Sequence, residues 1–241
     1  MTLVDVSVSK FPVNSSPSNN LGFFAILLAI ATRCCWPPLI SAGKRLISDS
    51  KPTNFSKFNA LSWSFPPANS WINSIFSSKI NIKVLELLSD IPDNSTIGLF
   101  YPYKNEVNIL ALAEELEKKK IQCLLPKVIT KNKPLKYFSY SHQYPLLEKG
   151  FGGIMEPVND HSIDPDIIIA SCSAFNIEGY RVGYGGGFFD RTISELNEKK
   201  NIKTILAAFE IQKTSIQFQE IFDEKVDYIC TENKTYRTWN F

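Results

Sequence analysis

The chain has 241 residues, of which 26 are basic and 24 acidic, so its net charge is only +2. This length suffices for one sizeable hydrophobic core, and the weak charge argues against a nucleic-acid-binding protein. Five cysteines with two histidines and no C-x-x-C spacing argue against a zinc site or a disulfide framework and indicate a reducing compartment. The apolar run at 21–31 is too short for the ~20 residues that cross a bilayer, and it lacks the basic flank of a signal peptide.

Residues 1–77 differ in composition from the rest of the chain. Before residue 81 there are seven basic and two acidic residues, with Pro-Pro pairs at 37 and 66 and no sustained helical period. Such a segment offers little to a core. We therefore predict an atypical N-terminal segment over 1–77, disordered or foreign to the fold, followed by one α/β domain over 78–241.

From residue 78 onward, helix and strand signals alternate. In chain order they predict a helix ending over 80–88, a strand at 96–101, a helix at 107–120, strands at 122–125, 135–139 and 166–170, a helix at 188–199, and strands at 204–209 and 227–232. Strands separated by helices predict an open, mainly parallel sheet with helices on both faces, which is a three-layer α/β fold. Functional residues in such sheets gather at the carboxyl ends of the strands.

Residues 179–191 hold five of the eleven glycines, together with Arg181, Asp190 and Arg191. Glycines let the backbone approach an anion closely, arginines pair with phosphate oxygens, and a carboxylate holds a hard cation such as Mg²⁺. A plain glycine-rich turn is the alternative. A dinucleotide-binding loop fits less well, because Phe188 stands at the third glycine position and the loop does not follow directly on a strand. The pattern favours a nucleoside triphosphate.

The segment 181–191, Arg-Val-Gly-Tyr-Gly-Gly-Gly-Phe-Phe-Asp-Arg, resembles the signature G-x-R-L-G-x-G-x-G-Y-Y-D of the 5-formyltetrahydrofolate cyclo-ligase family, also called methenyltetrahydrofolate synthetases. Segments 99–107, 125–127, 153–157, 166–175 and 227–232 are similar to further elements of that family, in the same order. The resemblance implies an open three-layer α/β fold. It also implies a reaction in which ATP phosphorylates the formyl oxygen of 5-formyltetrahydrofolate, N10 closes on the activated carbon, and phosphate leaves to give 5,10-methenyltetrahydrofolate.

The same resemblance implies roles for individual residues. Arg181 and Tyr184 are expected to be catalytic, and Asp190 and Asp227 to hold Mg²⁺. ATP is expected on Arg181, Val182, Gly183, Tyr184, Gly185, Gly186, Gly187, Phe188 and Phe189. The folate is expected on Tyr101, Glu106, Tyr184, Gly185, Gly186, Gly187 and Phe188.

Taken by themselves, several of these residues allow a structural interpretation. Asp227 suits a turn at a strand end, Glu106 suits the first turn of a helix, and the aromatic residues suit a core. The chain also departs from the family pattern: Phe188 and Phe189 replace Tyr-Tyr, Ile109 replaces a threonine, and Ser171 replaces a proline. No Lys-x-x-x-Arg, the basic motif of the family's first helix, occurs before residue 80.

The leading hypothesis is therefore an enzyme, an ATP- and Mg²⁺-dependent cyclo-ligase that acts on a reduced folate. We expect a cytoplasmic monomer without nucleic-acid or membrane partners. The alternative is a non-catalytic folate- or nucleotide-binding protein that lacks the basic helix. A sugar-phosphate isomerase or CoA-transferase rests on fold analogy only.

Overall fold

The computed structural model describes residues 70–239. The helices are α1 (Ser70–Leu87), α2 (Ala111–Lys118) and α3 (Phe188–Lys199), with short 3₁₀ turns at Phe151–Gly153 and Glu210–Gln212. The strands are β1 (Thr96–Gly98), β2 (Gln122–Lys127), β3 (Lys136–Tyr140), β4 (Leu147–Lys149), β5 (Met155–Pro157), β6 (Ile167–Ala170), β7 (Ala174–Phe175), β8 (Arg181–Val182), β9 (Lys203–Ala207), β10 (Tyr228–Cys230) and β11 (Thr235–Arg237). The predictions made for residues 1–69, including the apolar run at 21–31, lie outside the described part.

Seven strands form the main sheet, in the order β11-β10-β9-β6-β1-β2-β3. The five central strands are parallel, and antiparallel β3 and β11 flank them at the edges. In the middle of the sheet, Ile97 pairs with Cys123 on one side and with Ile167 on the other. Two small hairpins, β4–β5 and β7–β8, lie outside this sheet. The predicted mainly parallel sheet is confirmed.

Each central strand buries both of its faces, which explains its continuous apolar sequence. In β6, Ile167 and Ile169 pack in the core cluster that contains α1 and α2. Ile168 packs on the other face with Ile193 and Leu196 of α3, and Ala170 packs there in a cluster that includes β7. Helices therefore cover both faces, as the three-layer prediction requires.

Helix α1 begins at Ser70, so the predicted boundary after residue 77 falls inside a helix. Its exposed side includes Trp71, Ile75 and Ile82, whereas Ser77 and Asn81 are buried. Both buried polar side chains bond the backbone of Asn108, since Ser77 accepts from its N–H and Asn81 donates to its carbonyl. The sequence of α1 therefore shows no clear apolar period, because some polar side chains of the helix are buried and some large apolar ones are exposed.

Cys123, Cys172 and Cys230 are free and buried, as predicted. Burial raises the pKa of Cys123 to about 12 and that of Cys230 to about 11, so both stay protonated thiols. Within residues 70–239, no helix is both long enough and apolar enough to cross a membrane.

Candidate folate and phosphate site

The site lies where the strand order of the sheet reverses. From β1 the chain continues to β2 on one side, while β6 lies on the other side of β1. The connections that leave the carboxyl ends of β1 and β6 therefore run in opposite directions and leave a crevice between them. Residues 99–110 follow β1 and residues 171–187 follow β6, so the two segments singled out in the sequence meet at this crevice.

Glu106 is the central acid of the segment that follows β1. Its Oε2 accepts a hydrogen bond of 2.8 Å from the N–H of Tyr103, and the side chains of Ser171 and Tyr184 donate to the same carboxylate from the segment after β6. Helix α2 begins only at Ala111. The interpretation of Glu106 as a first-turn helix residue is therefore wrong, because it belongs to a loop that faces the glycine-rich segment.

The carboxylate of Glu106 is only partly satisfied. Burial raises its pKa, and the hydrogen bonds from Tyr103, Ser171 and Tyr184 offset that effect only in part. Its Oε1 is buried and has no hydrogen-bond partner among the described residues. A buried acceptor without a donor costs stability, so this oxygen is ready to receive an N–H or O–H group from a ligand.

Two tyrosines stand beside this acid. The rings of Tyr103 and Tyr184 meet edge to face with their centroids 6.2 Å apart. Tyr101, the tyrosine expected to contact the folate, is half-buried against the core cluster on the α1 side. Sequence analysis did not single out Tyr103, and it noted Ser171 only as a replacement for a proline. The available signal was their position, because both lie within a few residues of the carboxyl end of a strand.

The glycine loop, residues 183–187, joins β8 to α3. Gly185 has a φ of 81° and Gly187 a φ of 57°, the left-handed conformation that other residues rarely adopt. Within the described part of the chain, the N–H groups of Gly183, Gly185, Gly186 and Gly187 donate no hydrogen bond. A Cβ placed on Gly183 or Gly185 would meet nothing within 4 Å, so the loop is open on that side. Free N–H groups at the start of a helix suit an anion.

Arg181 and Asp190 connect the two ends of this loop. Nη2 of Arg181 lies 2.9 Å from Oδ1 of Asp190, and Nη1 donates to the carbonyl of Glu224 at 3.0 Å. Oδ1 of Asp190 also accepts from the N–H of Glu224 at 3.2 Å. The Arg181 side chain is only 2% exposed, so its charge is already neutralised inside the protein. This pairing was not predicted from the sequence.

The two phenylalanines that follow the loop have different surroundings. Phe189 packs against all three core clusters and lies under the guanidinium of Arg181, 5.6 Å away. Phe188 meets Phe151 edge to face at 5.7 Å. Core packing, the structural interpretation offered for these aromatic residues, describes Phe189 fully and Phe188 in part, because Phe188 is half-buried against the single cluster that contains Ile193 and Leu196 of α3.

Among the described residues, Asp227 bonds Thr204, and no hydrogen bond joins it to Asp190. Asp227 immediately precedes β10, at the amino end of that strand, and its Oδ2 accepts from the N–H and the hydroxyl of Thr204 at 2.7 and 2.8 Å. Asp166 makes the same contacts with Thr96 at the amino end of β6, so both aspartates stabilise strand starts. The metal pair of Asp190 and Asp227 therefore stays a prediction, and the contacts of Asp227 also fit the structural interpretation. No group of three metal-ligating side chains occurs within residues 70–239.

Asp223 is next in sequence to a residue that contacts Asp190. Asp223 immediately precedes Glu224, whose N–H contacts Asp190. Oδ2 of Asp223 accepts from the N–H of Glu220 at 2.8 Å, and its side chain is half-buried. The sequence analysis did not single out Asp223.

A family model described as the 5-formyltetrahydrofolate cyclo-ligase family matches residues 75–232. The chain belongs to this family. It is 32% identical over 118 residues to the 5-formyltetrahydrofolate cyclo-ligase of Haemophilus influenzae, covering 46% of this chain and 62% of that protein. It is 28% identical over 160 residues to the enzyme of the same name from Mycoplasma pneumoniae, covering 66% of this chain and 86% of that protein.

Solved structures of similar proteins agree on the fold. The 5,10-methenyltetrahydrofolate synthetase of Aquifex aeolicus superposes with a TM-score of 0.54 at 27% identity, covering 72% of this chain and 94% of that one. That of Mycoplasma pneumoniae also gives a TM-score of 0.54, at 24% identity, and covers 68% of this chain and 88% of that one. Ser171, which replaces a proline expected in the cyclo-ligase family, contributes one of the hydrogen bonds to Glu106.

The raised pKa of Glu106 predicts how stability depends on pH. Because the native carboxyl binds its proton more tightly than the unfolded one, the unliganded protein should lose stability as the pH rises from 4.5 through the folded-state pKa. Glu106→Gln should remove this component, so the melting temperature of the variant should fall less than that of the wild type as the pH rises above 4.5. Thermal unfolding across this range checks the difference. Glu198→Gln, on an exposed position of α3, should keep the wild-type profile; parallel profiles for all three proteins would contradict the assignment.

Proposed function

We propose that the protein cyclises 5-formyltetrahydrofolate to 5,10-methenyltetrahydrofolate with ATP and Mg²⁺, releasing ADP and phosphate. The observation that carries this proposal is the unpartnered Oε1 of Glu106, buried at the crevice beside the glycine loop. Relatives that bear the name 5-formyltetrahydrofolate cyclo-ligase support the same reaction. The buried free thiols are in keeping with a cytoplasmic enzyme.

The folate is assigned to the segment that follows β1. The pterin ring presents an edge of N–H donors, and a carboxylate with a free, desolvated oxygen is their natural acceptor. Glu106 therefore orients the ring, and its loss of charge on protonation would weaken the bond. Tyr103 and Tyr184 offer ring surfaces beside the carboxylate, with Tyr101 and Phe188 at the margins of the same crevice.

The nucleotide phosphates are assigned to the glycine loop. The N–H groups of its four glycines, which make no hydrogen bond within the described residues, provide donors for an anion, and the amino end of α3 adds a positive dipole. ATP supplies the phosphoryl group that activates the formyl oxygen, and the protein contributes mainly position and charge. Because Tyr184 lies within the loop and also contacts Glu106, one residue links the phosphate side of the crevice to the folate side.

Mg²⁺ is assigned to Asp190 with Asp223 in place of Asp227. Magnesium is commonly held by one or two carboxylates together with substrate phosphates, so a complete protein cage is not required. Asp190 lies in the first turn of α3, directly after the loop, and retains a second oxygen beside the one bound to Arg181. This arrangement fits a metal that arrives with the nucleotide.

A turnover assay tests the function. Wild-type protein mixed with 5-formyltetrahydrofolate, ATP and Mg²⁺ should form methenyltetrahydrofolate, followed by its absorbance, and should form none without ATP. Glu106→Gln should weaken folate binding by about ten- to a hundredfold and leave ATP binding unchanged, because a charge-assisted hydrogen bond is lost. Folate and ATP binding without turnover would favour the non-catalytic alternative, and absence of folate binding would reject both.

The aspartates should separate into two groups. Asp190→Asn should lower Mg²⁺-dependent turnover by about a hundredfold or more, and Asp223→Asn should raise the Mg²⁺ concentration needed for half-maximal rate, because metal charge stabilises phosphoryl transfer. Asp227→Asn should lower the melting temperature but keep the wild-type Mg²⁺ dependence, since it bonds Thr204. Titration of the rate with Mg²⁺ measures all three. A shifted Mg²⁺ dependence in Asp227→Asn alone would return that residue to the metal site.

A further inference from the structure

Arg191 is a cation folded onto the glycine loop. It lies in the first turn of α3, and its Nη2 donates to the carbonyl of Gly186. The guanidinium lies 5.4 Å from the centre of the Phe188 ring. A Cβ on Gly187 would come within 2.8 Å of Nη1, so the glycine at this position also leaves room for the arginine.

The charge of Arg191 has no acidic partner among the described residues. Its Nε is buried and makes no hydrogen bond. Half-burying a guanidinium without an anion is unfavourable, since the group loses water and gains no opposite charge in return. A bound anion would remove this cost.

Arg181 presents the opposite case. It is more deeply buried than Arg191, but it is paired with Asp190 at 2.9 Å and bonded to Glu224. The sequence pattern treats the two arginines alike, as possible phosphate ligands. The structure distinguishes them, because Asp190 neutralises the charge of Arg181, whereas no acid within residues 70–239 pairs with Arg191.

We propose that Arg191 binds the phosphate groups of the nucleotide, and that Arg181 positions the loop through Asp190 without contacting phosphate. This assignment rests on the proposed nucleotide site. The planar guanidinium donates to two phosphate oxygens at once, and the free N–H groups of the loop supply further donors beside it. Such a cation would stand in for part of the charge that the family's basic helix provides.

Isothermal titration with MgADP, adenosine and 5-formyltetrahydrofolate tests the proposal. Arg191→Gln should weaken MgADP binding by about ten- to a hundredfold, while adenosine and folate affinities stay within about twofold of the wild type. The MgADP affinity of Arg191→Lys should lie between those of the wild type and Arg191→Gln, since lysine keeps the charge but loses the bidentate geometry. Arg237→Gln, at an exposed position of β11, is the matched control and should bind MgADP normally. Arg181→Gln should lower the melting temperature and weaken the binding of all three ligands.

The outcomes separate this proposal from the proposed function. If the wild type binds MgADP and Arg191→Gln binds it equally well, the role of Arg191 is rejected and the nucleotide site stands. Equal losses for MgADP and folate, with a lower melting temperature, would make Arg191 a structural brace and also reject the proposal. Should Arg191→Gln not fold, wild-type affinity in Arg191→Lys would reject the bidentate contact. No MgADP binding by the wild type would overturn the nucleotide site and this inference together.

Discussion

The reversal of strand order between β1 and β6 determines where chemistry can occur in this protein. Parallel strands need long crossover connections, and connections that leave neighbouring strands in opposite directions cannot fill the space between them. The chain uses this gap to bring the loop of Glu106 against the segment that carries Tyr184. Residues 65 or more positions apart in sequence, such as Glu106 and Ser171, therefore share a hydrogen bond.

Burying Glu106 makes the site both useful and costly. The acid loses water, and its Oε1 receives no donor in return, so the free protein holds an unsatisfied group at its crevice. Burial also strengthens a hydrogen bond to a ligand, because a charge-assisted hydrogen bond is stronger in a desolvated site than in water. A second unsatisfied group, the guanidinium of Arg191, lies on the phosphate side. The carboxylate of Glu106 matches the N–H edge of a folate, and the guanidinium of Arg191 matches a phosphate.

Much of the fold was predictable because its signals are local. The continuous apolar run of β6 and the amphipathic pattern of α3 predict a buried strand and a helix with bounds that the structure nearly reproduces. Strands β4, β5, β7, β8 and β11, of two or three residues each, were not predicted from the sequence. Helix α1 was recognised only at its end, since its buried Ser77 and Asn81 break the apolar pattern.

For the site, residue types were predictable but their partners were not. The glycine loop and Glu106 stood out by composition and by family resemblance. Whether an arginine is free or paired depends on tertiary contacts, so Arg181 and Arg191 were indistinguishable in the sequence. Asp227 was assigned to a metal from the family resemblance, and its contact with Thr204 at the start of β10 could not be read from the sequence.

The central claim is that the segments following β1 and β6 form one folate site. Amide hydrogen exchange of the free protein and of its 5-formyltetrahydrofolate complex tests this point, because the N–H groups of Gly183, Gly185, Gly186 and Gly187 have no hydrogen-bond partner within residues 70–239 and should exchange rapidly without ligand. We expect slowed exchange in both 101–108 and 183–187 on addition of folate alone. Protection confined to one of these segments, or found only elsewhere in the chain, would contradict it.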